Sequence, residues 1–65
     1  MENGSKKIQL IEDDHELAQI IAEEFAEQGY EIVISYTGGE GFVSILKNLP
    51  DLILCDFNMP GMSGS

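Results

Sequence analysis

Acidic residues stand where two apolar runs end. Ile8-Gln9-Leu10-Ile11 leads into Glu12, Asp13 and Asp14, and Leu52-Ile53-Leu54-Cys55 leads into Asp56. A carboxylate at the end of a buried strand is solvated enough to ionise and anchored enough to be aimed. If the two strands lie side by side and parallel, Glu12, Asp13 and Asp56 converge at one sheet edge. Three carboxylates in one place repel one another strongly, and such a cluster persists when a cation neutralises it. An all-oxygen donor set suits a hard divalent ion, Mg2+ ahead of Ca2+. Mg2+ would keep several waters, leaving positions open for a phosphoryl group.

The elements that must carry these acids follow from periodicity. Lys6 to Glu12 reads as a strand, with its lysines at the end away from the acids. A helix runs from about Asp14 to Gln28, with Leu17, Ile20, Ile21 and Phe25 as its buried stripe. Asp13 or Asp14 can cap it, and Asp13 with Glu16 has the spacing of a capping box. Gly29 ends it. Tyr30 to Ser35 is a second strand, rich in β-branched residues. Thr37 stands three residues before Glu40, the capping-box spacing, so a second helix opens there. Phe42, Val43, Ile45, Leu46 and Leu49 give that helix an apolar face, although Gly39 and Gly41 weaken its start. Pro50 blocks continuation, and Leu52 begins a third strand, whose unbroken apolar run implies burial on both faces. A loop containing Pro60 and Gly61 follows it.

The order is β-α-β-α-β, which implies right-handed crossovers, a parallel sheet and one helix on each face. The expected strand order is 2-1-3, with the acids at the carboxyl edge, where open α/β sheets bind ligands. The third strand is left with an open edge, a hazard that proteins pair or cover.

Charge and size narrow the possibilities. Sixty-five residues allow one domain, read as a flexible leader over 1–5 and a folded unit over 6–65. Twelve acids against three bases leave a net charge of −9, which argues against nucleic acid and anionic membranes as partners and for a cation site and basic protein partners. The single cysteine forms no internal disulfide, and no apolar run approaches the roughly 18 residues of a membrane span. Both features fit a cytoplasmic protein.

Taken together, Glu12-Asp13, Thr37-Gly38, Pro50-Asp51 and Asp56-Phe57-Asn58-Met59-Pro60-Gly61-Met62-Ser63-Gly64 resemble the receiver domain of bacterial two-component response regulators. The likeness spans Lys6 to Gly64. It implies a flavodoxin-like (CheY-like), doubly wound α/β sheet. It implies Asp56 as phosphoacceptor from a phosphohistidine on a sensor histidine kinase or phosphotransfer protein. It also implies Mg2+ held by Asp13 directly, by Glu12 through water, by Asp56, and by the backbone carbonyl of Asn58. A complete receiver is nearly twice as long, with a fourth strand ending in Ser or Thr and a fifth ending in Lys, both of which contact the phosphoryl group. The chain is therefore expected to be the N-terminal half of such a domain.

Three functions compete on this basis. The first is a signalling phosphoacceptor completed by more sheet from another polypeptide. The second is a phosphate-independent interaction module, a homodimer or domain-swapped assembly formed through the third-strand edge. The third, an aspartate-dependent phosphatase, wants a second Asp two residues after the nucleophile, and position 58 is Asn. His15 reads as an exposed first-turn residue and Cys55 as inert packing.

Overall fold

A computed structural model of the chain describes residues 5–55. Five elements follow in order: β1 (Lys7–Ile11), α1 (His15–Glu27), β2 (Glu31–Ser35), α2 (Gly38–Asn48) and β3 (Leu52–Cys55). The sheet is parallel throughout, in the order β2-β1-β3. This is the α/β arrangement expected from the alternation of strand and helix.

The central strand carries the core. Ile8, Leu10 and Ile11 are buried, and so is Gln9 between them. Gln9 survives there because its amide is satisfied on every side. Its Nε2 donates to Ser35 Oγ at 2.9 Å and to the carbonyl of Leu10 at 3.1 Å. Its Oε1 accepts from Ser44 Oγ, and Asn48 Nδ2 donates to that same hydroxyl at 3.0 Å. One polar chain thus ties β1 to β2 and to α2. A buried amide stripped of these partners would cost roughly 1–3 kcal/mol for each unmade bond.

Both helices end as their sequences require. Asp14 caps α1, accepting from the backbone N–H of Leu17 at 3.1 Å, so the cap is the later of the two candidate aspartates and the Asp13–Glu16 pairing is not used. At the other end, Gly29 takes φ 95°, Gly29 N–H donates to Ala26 and Tyr30 N–H to Phe25. This is the Schellman arrangement, and the left-handed conformation it demands suits glycine. Thr37 caps α2, accepting from Glu40 N–H at 3.1 Å, while Glu40 Oε1 reaches back to Tyr36 N–H at 3.3 Å. The α2 helix ends at Leu49 in the left-handed region, just before Pro50.

The buried faces of the helices differ from the expected stripes. On α1 the fully buried residues are Ala18 and Ala22, with Ile21 and Phe25 half-buried, while Leu17 is exposed and Ile20 is 58% exposed. Alanines let the helix axis approach the sheet, which turns the bulkier positions to its flank. On α2 the contact face is Gly41, Ser44, Ile45 and Asn48, and Phe42, Val43, Leu46 and Leu49 point outward. Gly41 sits so close to Ile11 that a Cβ there would lie 2.6 Å from Ile11 Cγ1. The glycine that weakens the helix is therefore what lets it dock. The expected double burial of β3 also fails: Leu52 is 48% and Ile53 is 47% exposed, because among the described residues nothing pairs beyond this edge strand.

Candidate functional site

The carboxyl ends of all three strands lie along one edge of the sheet. Register fixes their relation: Ile11 is aligned with Ser35 on one side and with Cys55 on the other. The residue after Ile11 is Glu12, and the residue after Cys55 is Asp56. Asp56 and Asn58 themselves lie outside the described residues, as do residues 1–4 of the leader and the loop containing Pro60 and Gly61. Of the four expected metal ligands, the structure therefore brings Glu12 and Asp13 into view.

These two adjacent acids have different environments. Glu12 is only 4% exposed. Its backbone N–H donates to the carbonyl of Ser35 at 3.0 Å, extending the β1–β2 ladder by one step, and its Oε2 accepts from the N–H of Asp14 at 3.1 Å. That second bond fixes the carboxylate at the sheet edge. Asp13 is exposed, and Asp14 is committed to the helix cap. One held carboxylate beside one accessible carboxylate is an oxygen-donor arrangement that a hard cation would complete. Among the described residues, no three His, Cys, Asp or Glu side chains cluster tightly enough to form a metal site on their own.

The opposite end of the sheet is closed by different chemistry. Lys7 N–H donates to Asp51 Oδ2 at 2.8 Å, Asp51 N–H returns a bond to the carbonyl of Lys7 at 2.7 Å, and Lys7 Nζ reaches the carbonyl of Asn48 at 3.3 Å. Lys7 is thus occupied at the amino end, as expected, and its position is wrong for the acidic edge. His15, at the start of α1, is exposed and stacks on Tyr36, with ring centroids 3.7 Å apart. Sequence reasoning missed this stack at the site's rim, since no local pattern links the first residue of α1 to one before α2. It also missed Gln9, although a lone amide inside an apolar run was a visible signal.

Residues 8–65 match the response regulator receiver domain. The chain belongs to that family. A receiver domain is a signalling module. Among curated relatives, the response regulator ArlR of Staphylococcus saprophyticus is 38% identical over 58 residues, covering 89% of this chain and 26% of that protein. The probable transcriptional regulator ycf27 of Porphyra purpurea is 30% identical over 64 residues, covering 98% of this chain and 26% of that protein. The crystal structure of a response regulator receiver domain protein from Clostridium thermocellum superposes with a TM-score of 0.86 at 28% identity, over 91% of this chain and 48% of that one. The receiver described here therefore spans about a quarter of the length of these relatives and about half of the solved domain. Its fold is the flavodoxin-like one. No helix of the described residues is long and apolar enough to cross a membrane.

Proposed function

We propose that this receiver is a phosphoacceptor in a two-component phosphorelay, with Asp56 as the residue modified. The observation that carries the reading is the β1–β3 register, which aligns the residue before Glu12 with the residue before Asp56. A carboxylate oxygen of Asp56 attacks the phosphorus of a phosphohistidine on a sensor kinase or phosphotransfer protein. The P–N bond breaks, the imidazole nitrogen keeps the pair and takes up a proton, and Asp56 is left as an acyl phosphate. Asp13 would hold Mg2+ directly, Glu12 through water, and Asp56 with the carbonyl of Asn58 would complete the protein ligands. The bound ion supplies compensation for the charge on the phosphoryl oxygens. The chain's own part is positional. The N–H of Asp14 orients Glu12, and because Asp14 serves as the cap, Asp13 is left available. A reducing cytoplasm suits the lone Cys55. Incubation with acetyl phosphate and Mg2+, followed by intact-mass and peptide mapping, tests the proposal. The expected result is a single phosphoryl gain on Asp56 that disappears in Asp56→Asn. An unmodified protein, or label elsewhere, contradicts it.

A second reading is favoured by the exposed Leu52 and Ile53 of β3, beyond which no strand pairs among the described residues. Two copies would pair along that edge and cover it. Light scattering at micromolar concentration is expected to report a dimer. A stable folded monomer contradicts this reading and leaves the phosphoacceptor assignment untouched.

A further inference from the structure

The turn that joins β1 to α1 carries Asp13 between two tie points. At its first end, the backbone N–H of Glu12 donates to the carbonyl of Ser35 at 3.0 Å. At its last, the ring of His15 lies on the ring of Tyr36, with centroids 3.7 Å apart and planes inclined by 25°. Ser35 and Tyr36 are consecutive residues, where β2 gives way to the connection into α2. Residues 12 and 15 are thus moored to one short segment, and Asp13 lies in the span between them.

That segment is fixed on both sides. Ser35 is buried, and its hydroxyl accepts from Gln9 Nε2 at 2.9 Å in the core. Tyr36 N–H donates to Glu40 Oε1 at 3.3 Å, and Thr37 beside it caps α2. The mooring point for His15 is therefore anchored to the sheet and to the second helix. Asp13 has nothing comparable of its own. Among the described residues no partner holds its carboxylate, whereas Glu12 accepts from Asp14 N–H and Asp14 from Leu17 N–H. Where Asp13 aims is set by the path of its backbone. A loosely held ligand binds an ion less well, because ordering it costs conformational entropy at the moment of binding. The α1 helix itself does not call for a ring at position 15. Its cap is Asp14, and alanine is a better helix former than histidine.

We propose that His15 and Tyr36 form a brace that positions Asp13. The stacked rings pin the end of the β1–α1 turn and so hold the aspartate's backbone ready for a cation. Both are positioning residues, which act on the ion through Asp13. The consequence for metal rests on the reading of Asp13 as a Mg2+ ligand, while the brace itself stands without metal.

The test compares the isotope-labelled protein with His15→Ala, Tyr36→Ala, the double variant and His15→Phe. Without Mg2+, amide relaxation and hydrogen exchange are expected to show added motion over residues 12–15 in His15→Ala, with Leu10 and Ala22 unchanged. With Mg2+, the dissociation constant is expected to rise about three- to tenfold in either alanine variant, the range open to one stacked ring pair. The double variant should be no worse than the weaker-binding single one, since either change alone removes the stack. His15→Phe keeps a ring without imidazole nitrogens and should restore both readouts, which separates stacking from charge or hydrogen bonding. Far below the unfolding midpoint, a loss of global stability alone leaves the local amides and the affinity unmoved. Unchanged motion over 12–15, a Mg2+ constant in His15→Ala within about twofold of the unsubstituted protein, additive losses in the double variant, or His15→Phe behaving like His15→Ala overturns the proposal. If the unsubstituted protein takes up no Mg2+, the ligand reading of Asp13 falls, and the metal-free amides still decide on the brace.

Discussion

Asp13→Asn is expected to cut Mg2+ affinity and Mg2+-dependent labelling by acetyl phosphate at least tenfold, while Asp14→Asn leaves both within about twofold of the unsubstituted protein. The contrast follows from the different work done by two neighbouring aspartates. Asp13 is exposed and accessible to an ion, whereas Asp14 accepts from Leu17 N–H as the cap of α1. Removing a unit charge about 4 Å from a divalent ion forfeits several kcal/mol even at an effective dielectric constant near 20. Tenfold requires only about 1.4 kcal/mol. Asparagine, by contrast, caps a helix about as well as aspartate, so the α1 start survives the second change. Calorimetric titration of each variant with Mg2+, paired with intact-mass labelling, measures both effects. Equal losses in the two variants would mean that general negative charge, and not a ligand at position 13, governs the ion.

The largest stability effect is expected from Gly41→Ala. In an ordinary helix this change stabilises by roughly 1 kcal/mol. Here the new methyl meets Ile11 Cγ1 at 2.6 Å, with Cδ1 closer still, and those atoms belong to a buried side chain of the central strand. The helix must retreat from the sheet, which strains the Ser44–Gln9 bond beside it. Overpacking of this kind typically costs about 1–3 kcal/mol. A domain this small has only about 3–5 kcal/mol to lose. Denaturant unfolding should therefore show a clear fall in midpoint for Gly41→Ala. The double variant Ile11→Ala/Gly41→Ala should be more stable than the sum of the two single effects, since the second change vacates the space the first needs. Simple additivity, or a more stable Gly41→Ala, would show that the close approach is not what glycine serves.

Much of the fold was legible because local signals agreed with one another. The runs ending at Ile11, Ser35 and Cys55 all became parallel strands, and Thr37 with Glu40 opened α2 where the spacing said it would. Gly29 closed α1 with the expected hydrogen bonds. What periodicity did not disclose was which side of each helix faces the sheet. Leu17 and Ile20 outweigh Ala18 and Ala22 in hydrophobicity, yet the alanines lie inside because close docking favours small side chains. Likewise, Ser44, Asn48 and Gly41 form the contact face of α2 because Gln9 and Ile11 stand opposite them, a pairing between residues 30 or more positions apart that no window along the chain contains. The outward apolar residues of α2 and β3 are the counterpart of that choice. At the candidate site, the placement of Glu12 and Asp13 at a strand end was legible because they follow directly from an apolar run. The division of labour among Glu12, Asp13 and Asp14 was not, since it depends on which aspartate turns its carboxylate back into the helix.

The central claim is that Glu12, Asp13 and Asp56 share one cation at the carboxyl edge of the sheet. Titrating Mg2+ into isotope-labelled protein while following the backbone amides of all three residues tests it most directly. The account predicts that the three signals move together along one saturable curve with a common dissociation constant. Movement at Glu12 and Asp13 with none at Asp56, or distinct constants for the two segments, would contradict it.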